Sequence, residues 1–186
     1  MEQMNQIGST SIAWYKLAEL IAKREREKAL NVYRLLSHSF IDKAYALQLE
    51  ADILYSLQDK DAIEKYKQAA FLYKQERRWI NAVYVYEHLL DLDANNAEVI
   101  GLLLDLYAKI DLVPKFDRLF DSLCSKIKNK TIDDEMVVRA FKKMLDVDPA
   151  GERTEVTGLL LKRLKDPVGE FPKGLLDRLK ISRQII

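Results

Sequence analysis

Residues 82–93 read Ala-Val-Tyr-Val-Tyr-Glu-His-Leu-Leu-Asp-Leu-Asp, and residues 137–148 read Val-Val-Arg-Ala-Phe-Lys-Lys-Met-Leu-Asp-Val-Asp. The two runs superpose at a constant offset of 55, with Val83 over Val138, Tyr86 over Phe141, Leu90 over Leu145 and both aspartates kept. Within the first run Ala82, Val85, Tyr86 and Leu89 fall at i, i+3, i+4 and i+7, the apolar stripe of an α-helix. Val83 and Tyr84 widen that stripe, as a helix packed on more than one side requires. A second match follows at offset 57, Gly101-Leu102-Leu103-Leu104 against Gly158-Leu159-Leu160-Leu161. A helix pair cannot bury its apolar face alone, so such duplication points to stacked pairs that share a core.

The same spacing recurs on both sides of these runs. It appears as Trp14, Leu17, Ala18, Ile21, as Ala29, Val32, Tyr33, Leu36, as Ile100, Leu103, Leu104, Tyr107, and as Phe116, Leu119, Phe120, Leu123. Looser stripes run through Ala46, Leu49, Ile53 and through Ala62, Tyr66, Ala69, Tyr73, with weaker ones near Leu160 and Leu175. None of the six Gly or four Pro lies between Gly8 and Gly101, so strands joined by tight turns lack their turn residues, and all-β and doubly wound folds are excluded. Short polar segments at 58–61, 93–96 and 148–151 place small caps between stripes, and Thr131-Ile132-Asp133-Asp134 has the spacing of a capping box. The pattern predicts an all-α chain, an α-solenoid of antiparallel helix pairs with about ten helices of roughly 12–17 residues.

Bulk properties narrow the function. Of 186 residues, 48% are hydrophobic and 32% charged, the balance of a packed, folded chain. Thirty basic against 29 acidic residues give +1, too little for a global field that would hold a polyanion. The charge is nevertheless uneven: 13 basic and 11 acidic in 1–80, 3 and 8 in 81–125, 14 and 10 in 126–186. The lone Cys124 makes no internal disulfide and, with two histidines, falls short of an ordinary zinc site. The opening residues Met1 to Ser11 lack a basic start and an apolar run, and no window reaches the ~18 apolar residues of a membrane span, so a cytoplasmic chain without membrane association is expected.

Candidate chemistry fails on the same reading. Ser37-His38-Ser39 near Asp42 holds a hydroxyl, a base and a carboxylate, but no strained turn or oxyanion donors accompany them. His88 reads as a solvated helix side chain. Asp91-Leu92-Asp93 begins like a calcium loop, yet Asn96 and Leu102 stand where Gly and Glu are needed, and Asp146-Val147-Asp148 ends on Thr157. No Gly-rich phosphate loop exists. The expectation is therefore no enzyme, with no catalytic residues, cofactor or metal. Lys162, Arg163, Lys165, Lys173, Arg178, Lys180 and Arg183 could meet phosphates, but Asp166, Glu170 and Asp177 dilute them, which disfavours nucleic acid.

The small and aromatic positions carry a resemblance. Ala13-Trp14-Tyr15-Lys16-Leu17-Ala18 followed by Glu27 to Tyr33, and again the run Ile80 to Asn96, resemble helices of the tetratricopeptide repeat. Trp14 and Leu17 match its large first-helix positions, Ala18 and Ala70 its close-contact position, Ala29, Ala62 and Ala82 the opening of its second helix, and Tyr33, Tyr66 and Tyr86 the aromatic four residues on. The match covers 11–128. Residues 1–10 then read as an N-terminal tail, and 129–186 as a divergent helical repeat and C-terminal cap. Departures are present: Ala94 replaces the usual Pro, and the spacing Ala29 to Ala62 to Ala82 is 33 then 20, so the helix near 60–76 serves as the second helix of one repeat or the first of the next.

The resemblance implies a scaffold or adaptor that binds a peptide or helix of another protein in a concave groove. The groove positions carried over are Tyr15, Glu19 and Lys23, then Lys67, Phe71 and Lys74, then Asp105 and Lys109. The Lys and Asn pattern that clamps a C-terminal carboxylate in some members is not evident. Alternatives are a dedicated chaperone of a secreted or assembling client, and a helical accessory domain that contacts nucleic acid through residues 162–183.

Overall fold

The computed structural model describes residues 2–146, 163 and 172–178. The turn at 148–151, the Gly158 match, the helix near Leu160 and most of the loop expected from Asp166 to Gly174 lie outside them. The described residues form α1 (Glu2–Ala22), α2 (Arg26–Ser37), α3 (Lys43–Ser56), α4 (Asp61–Gln75), α5 (Trp79–Leu92), α6 (Ala97–Lys109), α7 (Val113–Lys128), α8 (Asp134–Asp146) and α9 (Lys173–Arg178), with no strand among them. The all-α expectation holds. α1 starts at Glu2, so residues 2–10 continue the first helix. The chain divides into two compact units, Met1–Val85 and Tyr86–Ile186.

In the first unit α1 packs on α2, α2 on α3, and α3 most extensively on α4. The α3–α4 seam is close because both helices present alanine: Ala44 and Ala51 on one side, Ala62, Ala69 and Ala70 on the other, all buried. Hydrogen bonds then fix its register. Tyr66 Oη donates to Asp52 Oδ1 at 2.6 Å and Tyr73 Oη to Gln48 Oε1 at 2.9 Å, while Lys65 pairs with Glu50 at 3.0 Å. Asp42 caps α3 by accepting from the Tyr45 amide and also takes Arg78 Nη1 at 2.6 Å, and the Arg78 guanidinium lies 4.4 Å from the Tyr73 ring centre. Burial raises the Asp42 carboxyl, but the Tyr45 amide and Arg78 outweigh it and leave it below its ordinary value.

In the second unit α6 packs on both α7 and α8, and α9 on α8. Sandwiched in this way, α6 buries Ala97, Val99, Ile100, Leu103, Leu104, Leu106, Tyr107 and Ala108. Gly101 serves a close approach, since a Cβ there would lie 3.4 Å from Ala140 Cβ on α8. Tyr107 Oη donates to Glu87 Oε1 at 2.6 Å, and Lys115 Nζ reaches the same oxygen at 2.6 Å.

The turns show how helices stop without glycine. Arg24, Gln58, Arg77, Asp111 and Lys130 have φ between 54° and 60°, in the left-handed region. At each, that residue's amide bonds the carbonyl three residues back and the next amide bonds the carbonyl five residues before it, as in Arg77 N to Lys74 O and Arg78 N to Tyr73 O. This is the Schellman closure, usually assigned to Gly. The five turns are spaced 34, 19, 34 and 19 residues apart, so the motif repeats every 53 residues and three helices. Buried side chains keep the same step: Ala29, Leu30, Tyr33 and Leu36 of α2 reappear as Ala82, Val83, Tyr86 and Leu89 of α5. Val137, Val138 and Phe141 of α8 follow 55 residues further, also buried.

Two local expectations are corrected. Ala18 is exposed, because Leu17 and Leu20 carry the buried face of α1. Thr131 does not cap α8; its Oγ1 bonds the Lys126 carbonyl, and Asp133 Oδ1 accepts from the Met136 amide instead.

Candidate functional site

The groove positions fall on three helices. On α1, Tyr15 is 79% exposed. Glu19, one turn on, accepts from Lys16 at 2.9 Å and from Lys23 at 2.5 Å. The hydrogen bond from Lys23, with that from Lys16, pulls the Glu19 carboxyl down to about 2. Glu19 and Lys23 therefore satisfy each other, and Tyr15 is the open element of this stripe.

On α4, Ala62, Tyr66, Ala69, Ala70 and Tyr73 form the buried face. Lys67, Phe71 and Lys74 follow at i, i+4 and i+7 on a different face, where Phe71 stays 56% exposed and both lysines are half-buried. Ile63, one turn before Lys67, is 40% exposed and extends the stripe. Ile80 and Tyr84 of α5, beyond the Arg77 turn, are also exposed.

The third pair separates. Lys109 is exposed, but Asp105 is only 7% exposed, since α6 is covered by α7 and α8. Its carboxylate is placed to act inward: after burial and Glu98, it helps push the Tyr86 hydroxyl up to about 12. Asp105 is thus corrected from a groove position to a core group. The stripes on α1 and α4 belong to the first unit and the α6 pair to the second.

Sequence reasoning missed Ile63, which lies at helical spacing from Lys67 but had been absorbed into no stripe. It also missed the seam bonds Tyr66–Asp52 and Tyr73–Gln48, whose partners are 14 and 25 residues apart with no local pattern to join them.

The rejected catalytic grouping is accounted for by local structure. Ser37 Oγ donates to the Arg34 carbonyl and Ser39 Oγ to the Leu36 carbonyl, while Asp42 holds the start of α3 and Arg78. Asp93 and Asn96 bond each other, and Asn96 caps α6 through the Val99 amide at 3.1 Å. Among the described residues no group of three His, Cys, Asp or Glu stands close enough to hold a metal ion, and no helix is long and apolar enough to cross a membrane. Two of the C-terminal basic residues are engaged within the chain. Arg163 pairs with Asp117 at 3.2 Å and with Asp121, and lies 5.4 Å from the Phe120 ring centre; Arg178 pairs with Glu135.

No family model, no curated protein and no solved structure matches this chain.

Proposed function

We propose that this protein is a non-enzymatic scaffold or adaptor, a tetratricopeptide-like α-solenoid that binds a peptide or helix of another protein in a groove. The observation that carries the reading is the α4 stripe, an aromatic side chain left 56% exposed between two lysines on a helix whose opposite face is fully buried. Phe71 and Ile63 together leave an apolar strip beside the lysines, a surface whose burial by a partner would be favourable. The 53-residue recurrence of turns and buried positions supports the repeat reading, with 11–128 as the repeat array and 129–186 as a divergent repeat and cap. Tyr15, Glu19 and Lys23 complete the proposed partner-facing set of the first unit, Lys109 is a separate candidate contact in the second, and the setting is cytoplasmic.

A second reading, a dedicated chaperone that shelters an apolar client segment, is favoured by the exposed Ile12, Leu35, Ile41 and Ile80 of the first unit. Contact with nucleic acid through 162–183 is disfavoured by the pairing of Arg163 and Arg178 with carboxylates.

The test is affinity capture of partners from the cell's own lysate, followed by the Lys67→Glu/Lys74→Glu variant. Loss of the captured protein, with the thermal midpoint unchanged, is the expected result. Capture that is undiminished removes α4 as the groove, and recovery of nucleic acid alone, only at low salt, removes the scaffold reading.

A further inference from the structure

The α4 stripe carries a charge pattern that specifies more than an unnamed protein. In the first unit several cations at the helix surfaces already have carboxylates: Lys16 and Lys23 share Glu19, Lys28 has Glu25, Lys65 has Glu50, and Arg26 has Asp59 and Asp61. Lys67 has no carboxylate within ion-pair distance among the described residues. The acids on its own helix are spent elsewhere, Asp61 on Arg26 at 3.2 Å and Glu64 on Gln68 at 3.1 Å. This cation lies midway between Ile63 and Phe71, both exposed and two turns apart, about 12 Å along the axis at 1.5 Å per residue.

The complement of apolar, cation, apolar at one-turn steps is apolar, carboxylate, apolar at the same steps. An extended peptide would bring unpaired backbone amides to a helix flank whose own amides and carbonyls are bonded along the axis. A helix arrives with its backbone already paired and projects side chains at i, i+4 and i+7 or i+8. We propose that the face formed by Ile63, Lys67 and Phe71 takes an acidic amphipathic α-helix of another protein, with a glutamate or aspartate seated on Lys67 between two apolar anchors. This rests on the scaffold reading above and names the chemistry of its partner.

The experiment uses the full chain and two fluorescein-labelled peptide helices of identical composition except at one position. One carries Leu at i and i+8 with Glu at i+4; the other carries Lys at i+4. Fluorescence anisotropy is followed at low and moderate salt, with circular dichroism confirming that every variant is folded. The acidic helix is expected to bind about tenfold tighter than its Lys counterpart, with the gap narrowing as salt rises. Lys67→Glu reverses that preference, and Phe71→Ala weakens the acidic helix by about tenfold. Equal binding of the two helices, no binding of either, or a preference that Lys67→Glu leaves untouched overturns the proposal. So does sedimentation showing that the chain self-associates through this face and that Phe71→Ala abolishes it. A captured partner that depends on Lys67 and Lys74 but offers no acidic helix would sink this inference and leave the scaffold standing, whereas absence of any protein partner would sink the scaffold itself.

Discussion

Helices α4 and α7 occupy equivalent places in the 53-residue repeat, yet they fill their cores in opposite ways. The five buried residues of α4, Ala62, Tyr66, Ala69, Ala70 and Tyr73, reappear 54 positions on as Phe116, Phe120, Leu123, Cys124 and Ile127. The first set joins small residues to tyrosines whose hydroxyls reach Asp52 and Gln48 on α3. The second is apolar throughout, with Phe116 and Phe120 stacked at 6.2 Å and 9°. One backbone layout thus admits a seam held in register by directional bonds and a seam held by volume. A tyrosine hydroxyl must find an acceptor, so it fixes where α3 sits along α4. A phenylalanine rewards any close-packed arrangement.

That contrast predicts its largest effect at Phe120. Phe120→Ala removes a fully buried ring and is expected to cost about 3–5 kcal/mol in urea unfolding followed by circular dichroism. Its counterpart Tyr66→Phe keeps the ring and loses the bond to Asp52, whose carboxylate is half-buried, so about 1 kcal/mol is expected. A Tyr66→Phe loss as large as that of Phe120→Ala would mean the polar seam, not volume, holds the first unit. A negligible Phe120→Ala loss would mean the second core collapses freely around the gap.

Alkaline titration probes the same contrast more gently. Burial, and for Tyr66 and Tyr107 also the carboxylates they bond, raises the hydroxyls of Tyr33, Tyr66, Tyr73, Tyr86 and Tyr107, with Tyr33 and Tyr86 reaching about 12. A tyrosine raised in the folded state ionises first when unfolded. The stability it lends is fully present below the unfolded value near 10 and is lost as pH climbs toward the folded value. Helicity should therefore hold to about pH 10 and then fall together with the late rise in tyrosinate absorbance. Tyrosinate absorbance that is complete before any helix is lost would show these hydroxyls to be open to water.

Much of this layout was legible before any coordinates. Period-3.6 stripes located α2, α5, α6 and α7 because apolar side chains at those positions have nowhere to go but a core, and Ala29, Tyr33, Ala82 and Tyr86 are buried as their spacing demands. The phase slip near 60–76 was visible as well, and in the structure the turns on either side of α4 are 19 residues apart where the neighbouring intervals are 34. What escaped were features that depend on a second helix. Asp105 looks like an i, i+4 partner of Lys109 on one strand of text, but two neighbours of α6 enclose it. Ala18 matches a small-residue position yet faces water, because the register of α1 is set by Leu17 and Leu20. The turn residues were harder to read for a different reason: 58–61 read as a turn, but Arg, Gln and Lys carry no preference for the left-handed region and Asp111 lay outside the segments so read, so only φ shows which residue turns the chain.

Those turn residues give the smallest and most discriminating effect. Arg77 and Lys130 stand 53 residues apart with φ of 57° and 54°, and both are exposed. A side chain in the left-handed region costs about 1–2 kcal/mol, which glycine would not incur. Glycine also frees the unfolded chain, offsetting about 0.5–1 kcal/mol of that gain. Arg77→Gly and Lys130→Gly should each therefore raise stability by about 0.5 kcal/mol, a shift of a degree or two in thermal midpoint for a chain of this length. Equal gains at both sites would support treating the two units as copies of one three-helix pattern. A gain at one and a loss at the other would mean that the shared φ hides different supports, and that the repeat ends where its turns cease to be interchangeable.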